Sequence, residues 1–136
     1  FRNNINRHIS LIANTRVGTV HSPWLSTFTP GQLHAIPMSH GEGKFTAGPE
    51  LLETLLRNGQ IAFQYAGPDG HATMESPWNP NGSSWAIEGI VSPDGRILGK
   101  MGHSERYREG LMKNVPGDKS QGIFANAVNY FRKTNK

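Results

Sequence analysis

Two short stretches of the chain share one design. In each, a histidine that ends or follows a strand-like run is flanked by glycine and followed two residues later by an acid: His40 with Glu42, and His103 with Glu105. Side chains at i and i+2 of an extended segment project to the same side. Glu105 can therefore hold one ring nitrogen of His103 and leave the other free to act as a base. That is the base-and-orienter part of a catalytic triad, and it lacks only a nucleophile. The chain contains no Cys, and Ser39, Ser83, Ser84 and Ser104 sit in ordinary turn contexts with no Gly-x-Ser-x-Gly elbow among them. Two other readings of the same residues stay open. Each pair fits a turn carrying a satisfied surface histidine. Together His40, Glu42, His103 and Glu105 are also the residue types of a zinc or iron site, provided the two strand ends meet. Against the metal stand the missing helical His-Glu-x-x-His and the missing Cys ligands of the deaminase pattern that shares the His-x-Glu spacing. Gly41-Glu42-Gly43-Lys44 has neither Walker spacing nor Gly-x-Gly-x-x-Gly, so it gives no support to nucleotide binding.

The elements that must position these residues follow from pattern. Loose alternation from Ile5 to Val20 predicts one long strand or a bent pair. His21 to Gln32 is a loop with enough large apolar residues (Trp24, Leu25, Phe28) to pack down. Leu33 to Met38 is a short strand that presents the glycine-punctuated turn Ser39-His40-Gly41-Glu42-Gly43. Pro49 to Asn58 is a helix: proline in its first turn, Glu50 and Glu53 near its start, an apolar face of Leu51, Leu52, Leu55 and Leu56, and Gly59 to stop it. Ile61 to Tyr65 is a strand, and the turn-rich stretch from Gly67 to Ser84 is a candidate functional loop. Trp85 to Val91 and Arg96 to Met101 form a hairpin around Ser92-Pro93-Asp94-Gly95 that delivers His103. Gln121 to Arg132 closes the chain as a helix with Ile123, Phe124, Ala127, Val128 and Phe131 on one face.

Composition narrows the class. With 136 residues, 35% hydrophobic and 18% charged, the chain is expected to be one soluble unit over 1–136 with no internal domain boundary. No run approaches the roughly 18 to 20 apolar residues of a membrane span, and the signal-peptide layout is missing, so a cytoplasmic location without membrane contact is expected. The net charge of +4 comes from basic residues scattered between Arg2 and Lys136, with no cluster longer than Arg132-Lys133. Such scatter argues against nucleic acid as a partner. Starting at Phe1 with no initiator Met, the sequence reads as part of something longer.

Five segments then stand in a telling order: Pro37-Met38-Ser39-His40-Gly41-Glu42-Gly43-Lys44-Phe45, Gly59 to Tyr65, Asn79-Pro80-Asn81-Gly82-Ser83, Ile87-Glu88-Gly89-Ile90, and Gly95 through Gly102-His103-Ser104-Glu105-Arg106. Together they resemble the glutaminase domain of phosphoribosylformylglycinamidine synthases, over roughly Asn4 to Phe131. The resemblance implies an α/β fold, part of a flavodoxin-like class I glutamine amidotransferase domain, here with a mixed sheet, a β-hairpin and a C-terminal helix. It implies that His103 and Glu105 are the His and Glu of a Cys-His-Glu triad, although the family often has Pro where this chain has Gly102 and Ser104. Ser39, His40, Gly41 and Glu42 are expected to line or support the glutamine pocket, and Asn81 and Ser83, with Asn79, match a family loop counted among the substrate-binding candidates. No metal ligand is implied. The family's nucleophilic elbow lies upstream of the matched region, so this chain is expected to be the C-terminal portion of the domain and inactive by itself. Its implied partners are glutamine, the upstream half of the glutaminase domain and a synthetase domain that uses ATP and Mg²⁺, with no cofactor in this chain. Self-association is expected of a sheet cut in this way. Two alternatives remain: a non-catalytic amidotransferase-like binding or regulatory module, and metal-dependent hydrolysis at the two His–Glu pairs.

Overall fold

The computed structural model describes residues 2–134. Five strands form one sheet: β1 (Ile9–Val17), β2 (Leu33–His40), β3 (Ile61–Tyr65), β4 (Ile87–Val91) and β5 (Leu98–Lys100), in the spatial order β2-β1-β3-β4-β5. Two helices accompany them, α1 (Pro49–Arg57) and α2 (Ile123–Thr134).

The sheet departs from expectation in direction. A mixed sheet was expected within the α/β class, and every strand pair among the described residues is antiparallel. The reason lies in where β1 goes. Strands β2 and β3 run in the same direction and are joined through α1, the ingredients of a parallel βαβ unit. β1 sits between them and pairs with both, Ile9 to Arg16 against β2 and Thr15 to Val17 against β3. Inserting that one strand converts a parallel neighbour relation into two antiparallel ones.

The helices cover the sheet in the amphipathic manner the sequence suggests, with narrower contact faces. In α1, Leu52 and Leu55 are buried against Ile61 and Ile87, while Leu51 and Leu56 stay exposed. In α2, Ile123 joins the cluster of Val17, Leu25, Phe63 and Val91, and Ala127 is also buried; Phe124, Val128 and Phe131 are exposed despite their expected place on the inner face. The buried polar member is Asn126, whose amide donates to the Trp24 carbonyl at 3.0 Å and fastens the helix to the 23–25 turn.

Strands β1, β4 and β5 are shorter than the pattern predicts, while β2 runs past the expected Met38 and takes Ser39 and His40 out of the predicted turn and into the strand. Pairing of β1 begins at Ile9 and ends at Val17, and Asn6 just before it has φ of +53°. Trp85 and Ala86 also lie in the left-handed region, so β4 starts at Ile87. The β4–β5 turn is as expected: Gly95, at φ +72°, donates to the Ser92 carbonyl at 2.8 Å. It also docks on the 21–25 segment, for Ser22 donates to the Gly95 carbonyl and Trp24 Nε1 to the Arg96 carbonyl at 2.8 Å. The outer edge of β2 is occupied by later chain: Ala35 N–H donates to the Asp118 carbonyl at 2.6 Å, and His103 N–H to the Pro37 carbonyl at 2.8 Å. No helix of the described residues is long and apolar enough to cross a membrane.

Candidate active site

Strand β5 ends at Lys100, and three residues later His103 stands just before a short 3-10 turn, Ser104–Arg106. The turn folds Glu105 back, so that His103 Nδ1 and Glu105 Oε1 are 2.6 Å apart. This is the short distance of a charge-assisted bond. Partial burial tends to raise the Glu105 pKa, yet the bond from His103 and the nearby His103 and Arg106 charges outweigh it and hold the carboxyl below its ordinary value. His103 itself is about a quarter exposed, its side chain at 28%. Its other nitrogen, Nε2, faces the Ser39 carbonyl at 3.4 Å, at the long end of a hydrogen bond.

The two strand ends do meet, then, at the bond from His103 N–H to Pro37 and at Ser39. A third histidine joins them: His8 Nε2 lies 3.2 Å from Ser39 Oγ. His40 completes the group with its ring pressed on Gly43, where a Cβ would come within 2.2 Å of the ring Nδ1. Glycine at 43 is therefore a packing requirement. Burial first, then the neighbouring His103 and His8, lower the His40 pKa. Among the described residues neither ring nitrogen of His40 has a hydrogen-bond partner. The Gly41 carbonyl accepts from Asn3 Nδ2 at 3.1 Å, and Glu42 is exposed on the rim of a cavity of about 310 Å³ that Phe45, Ile87, Lys100 and Met101 also line. A second cavity, of about 370 Å³, has His103 and Glu105 in its wall together with Trp24 and Phe124. The four residues weighed for a metal do not converge: among the described residues no three His, Asp or Glu side chains form a group that could hold an ion.

Asn79, Asn81 and Ser83 are buried completely or nearly so. Asn79 Nδ2 donates to the Ser83 carbonyl at 2.9 Å and Ser83 Oγ to Asn81 Oδ1 at 2.8 Å, while Asn81 Nδ2 reaches the Tyr65 hydroxyl at 3.1 Å. Ser83 Oγ in turn accepts from Phe45 N–H at 3.0 Å. Their polar atoms are thus engaged inside the protein, where they brace the 43–47 segment behind the Ser39–Gly43 turn. The Asn-Pro-Asn-Gly-Ser spacing suits such a self-bonded loop, since Asn and Ser side chains bond readily to nearby backbone.

Sequence reading passed over a group beneath His103. Glu88 on β4 is 1% exposed and pairs with Lys100 on β5 at 3.3 Å. Glu88 Oε1 also accepts from Gly102 N–H. Lys100 Nζ donates to the Gly102 carbonyl and to Ser104 Oγ, both at 2.9 Å, and Ser104 Oγ donates to Gln121 Oε1. The one signal in the sequence was a lone glutamate within the otherwise apolar Ile87-Glu88-Gly89-Ile90-Val91, an unusual content for a buried strand.

Comparison with known proteins bears on the family and the fold. Residues 1–131 match the family model described as the CobB/CobQ-like glutamine amidotransferase domain. The chain is 46% identical over 87 residues to phosphoribosylformylglycinamidine synthase subunit PurQ of Chlorobium chlorochromatii (strain CaD3), a match covering 64% of this chain and 36% of that protein. It is 36% identical over 129 residues to the subunit of the same name from Salinibacter ruber (strain DSM 13855 / M31), covering 95% of this chain and 53% of the relative. Its matches therefore span between about a third and a half of the length of these curated relatives. In fold it is similar to a chain in the structure of PurLQS from Thermotoga maritima, with a TM-score of 0.71, 22% identity, and coverage of 96% of this chain and 51% of that one.

Proposed function

The chain belongs to the CobB/CobQ-like glutamine amidotransferase family, and on that premise we propose that it is the C-terminal portion of a glutaminase domain, supplying the His and Glu of a Cys-His-Glu triad. The observation that carries this reading is the 2.6 Å contact from His103 Nδ1 to Glu105, with Nε2 turned toward the strand-end turn at Ser39. The carboxylate fixes the ring so that Nε2 is the working nitrogen. A cysteine thiolate from another segment attacks the carboxamide carbon of glutamine, and Nε2 delivers a proton to the departing ammonia, leaving a thioester. Nε2 then takes a proton from water, whose attack releases glutamate and restores the thiol. Backbone N–H groups outside this chain hold the oxyanion.

In this proposal the ammonia passes to a synthetase portion that converts formylglycinamide ribonucleotide to its amidine in purine biosynthesis, as the names of the relatives suggest. ATP and Mg²⁺ belong to that portion, and none of the residues here is assigned to them. Ser39, His40, Gly41 and Glu42 form the near wall of the glutamine site, with Asn81 and Ser83 acting on it through the segment they brace. The partners are glutamine, the upstream half of the domain and the synthetase, in a cytoplasmic enzyme.

The test is to express the 136 residues within a polypeptide that includes an upstream half bearing a Gly-x-Cys-x-Gly elbow, with the synthetase present. Glutamine hydrolysis is expected from that protein and not from the chain alone. His103→Ala should abolish glutamine-dependent synthesis while ammonia-dependent synthesis continues. Loss of both activities in a folded variant would remove His103 from the triad. A second reading, a non-catalytic binding module, draws on the absence of Cys from the sequence; it requires that no upstream partner restores hydrolysis.

A further inference from the structure

We infer that Glu88 and Lys100 are positioning residues for the histidine base, a buried ion pair that fixes the loop carrying His103 in place of any rigidity in the loop itself. The inference rests on the glutaminase reading for its catalytic consequence, while its structural content stands on the hydrogen bonds alone. His103 lies between Gly102 and Ser104, two residues that restrict the backbone little. Three bonds compensate. Gly102 N–H is held by Glu88 Oε1, its carbonyl by Lys100 Nζ at 2.9 Å, and Ser104 Oγ by the same ammonium at 2.9 Å. Both peptide groups of Gly102, ahead of the histidine, and the Ser104 side chain after it are thereby tied to adjacent strands of the hairpin. Ser104 passes the tether on to Gln121, just ahead of α2.

Burial makes the tether directional. The Glu88 side chain is fully buried and that of Lys100 nearly so, at 9% exposure, with the ammonium also 5.3 Å from the Phe63 ring centroid. A buried pair of this kind costs desolvation and is weak evidence for stability, so a role in holding geometry is the better account of it. Gly102 is fitted to the carboxylate: a Cβ there would lie 2.7 Å from Glu88 Oε1 and 2.8 Å from Ile36 Cγ2. The loop and the pair are mutually matched, since any Cβ at 102 would force the Glu88 carboxylate or Ile36 to shift.

Removing one charge would strand the other in the interior, so the informative variant is the neutral double replacement Glu88→Gln/Lys100→Met. The introduced carboxamide keeps an acceptor for Gly102 N–H, and the introduced thioether chain keeps the volume of the lysine but donates to neither Gly102 nor Ser104. In the full-length protein with its synthetase, kcat for glutamine hydrolysis is expected to fall roughly tenfold or more, with KM, the unfolding temperature and ammonia-dependent synthesis close to those of the parent. The low-field proton signal of the His103–Glu105 bond, followed by NMR in the same protein, should broaden or vanish. Ser104→Ala, which cuts a single tether, should move both readouts in the same direction and by less. An unchanged kcat and an unchanged proton signal in the folded double variant would overturn the inference. Should the parent hydrolyse no glutamine, the glutaminase reading fails by itself, and the proton signal still decides whether the pair positions His103.

Discussion

At the scale of single residues, environment separates the histidines into different roles. His103 has a carboxylate on one nitrogen and the Ser39 carbonyl 3.4 Å from the other, whereas His40 sits against Gly43 with no acceptor for a second proton. His34 is buried beside Phe28; burial lowers its pKa, against the pull of Asp118, with Lys100 adding to the lowering. Folding therefore depresses the pKa of both His34 and His40. Below the ordinary histidine value of about 6.5 the unfolded chain binds more protons than the folded one, so stability rises with pH through that window and is lost on acidification. Thermal melts between pH 7 and pH 5 should show a falling midpoint, and His40→Gln should flatten the slope. Equal slopes in the two proteins would assign the acid sensitivity to other groups.

At the scale of elements, the 79–83 loop shows how a buried, self-bonded segment can brace its neighbours at Phe45 and Met101. Asn81 bonds Ser83 and the Tyr65 hydroxyl in a fully buried setting. Truncating it leaves several of those groups unsatisfied, and Asn81→Ala should destabilise the fold by about 2–3 kcal/mol in urea unfolding. A loss below about 0.5 kcal/mol, within the range of an ordinary surface substitution, would mean the brace is dispensable. The contrast with the strands bears on what sequence can reveal. β3 lies where its apolar run predicts, α1 ends one residue early, and the β4–β5 turn follows its Pro-Asp-Gly signal, because each is decided by near neighbours. The place of β1 between β2 and β3 depends on partners some 20 to 50 residues away, and periodicity carries no such information. The His103–Glu105 pair was legible because its spacing is local. The Glu88–Lys100 pair was not, since two residues twelve apart become neighbours only once the hairpin register is known, with Gly89 opposite Lys100.

At the scale of the whole molecule, the exposed apolar residues of α2 matter most. Phe124, Val128 and Phe131 are 53%, 48% and 37% exposed on a helix whose inner side is already filled by Ile123 and Ala127. Exposed apolar surface of this kind drives association. The isolated chain is expected to elute above its monomer mass in sizing experiments at high concentration, and Phe124→Ser/Val128→Ser to return it toward the monomer without changing its melting temperature. A parent chain that is monomeric throughout would contradict this. The β2 margin of the sheet behaves differently, because β2 is an outermost strand whose Pro37 lacks an N–H and whose Pro37 carbonyl and Ala35 amide are occupied by His103 and Asp118. An open edge strand is a template for adding strands from other molecules. The segment proposed to hold the base thus also stands guard over that template. Proteolytic nicking between 106 and 118 would leave the histidine on its tethers but free Asp118 from the Ala35 amide, reopening that part of β2 to strand addition from other molecules.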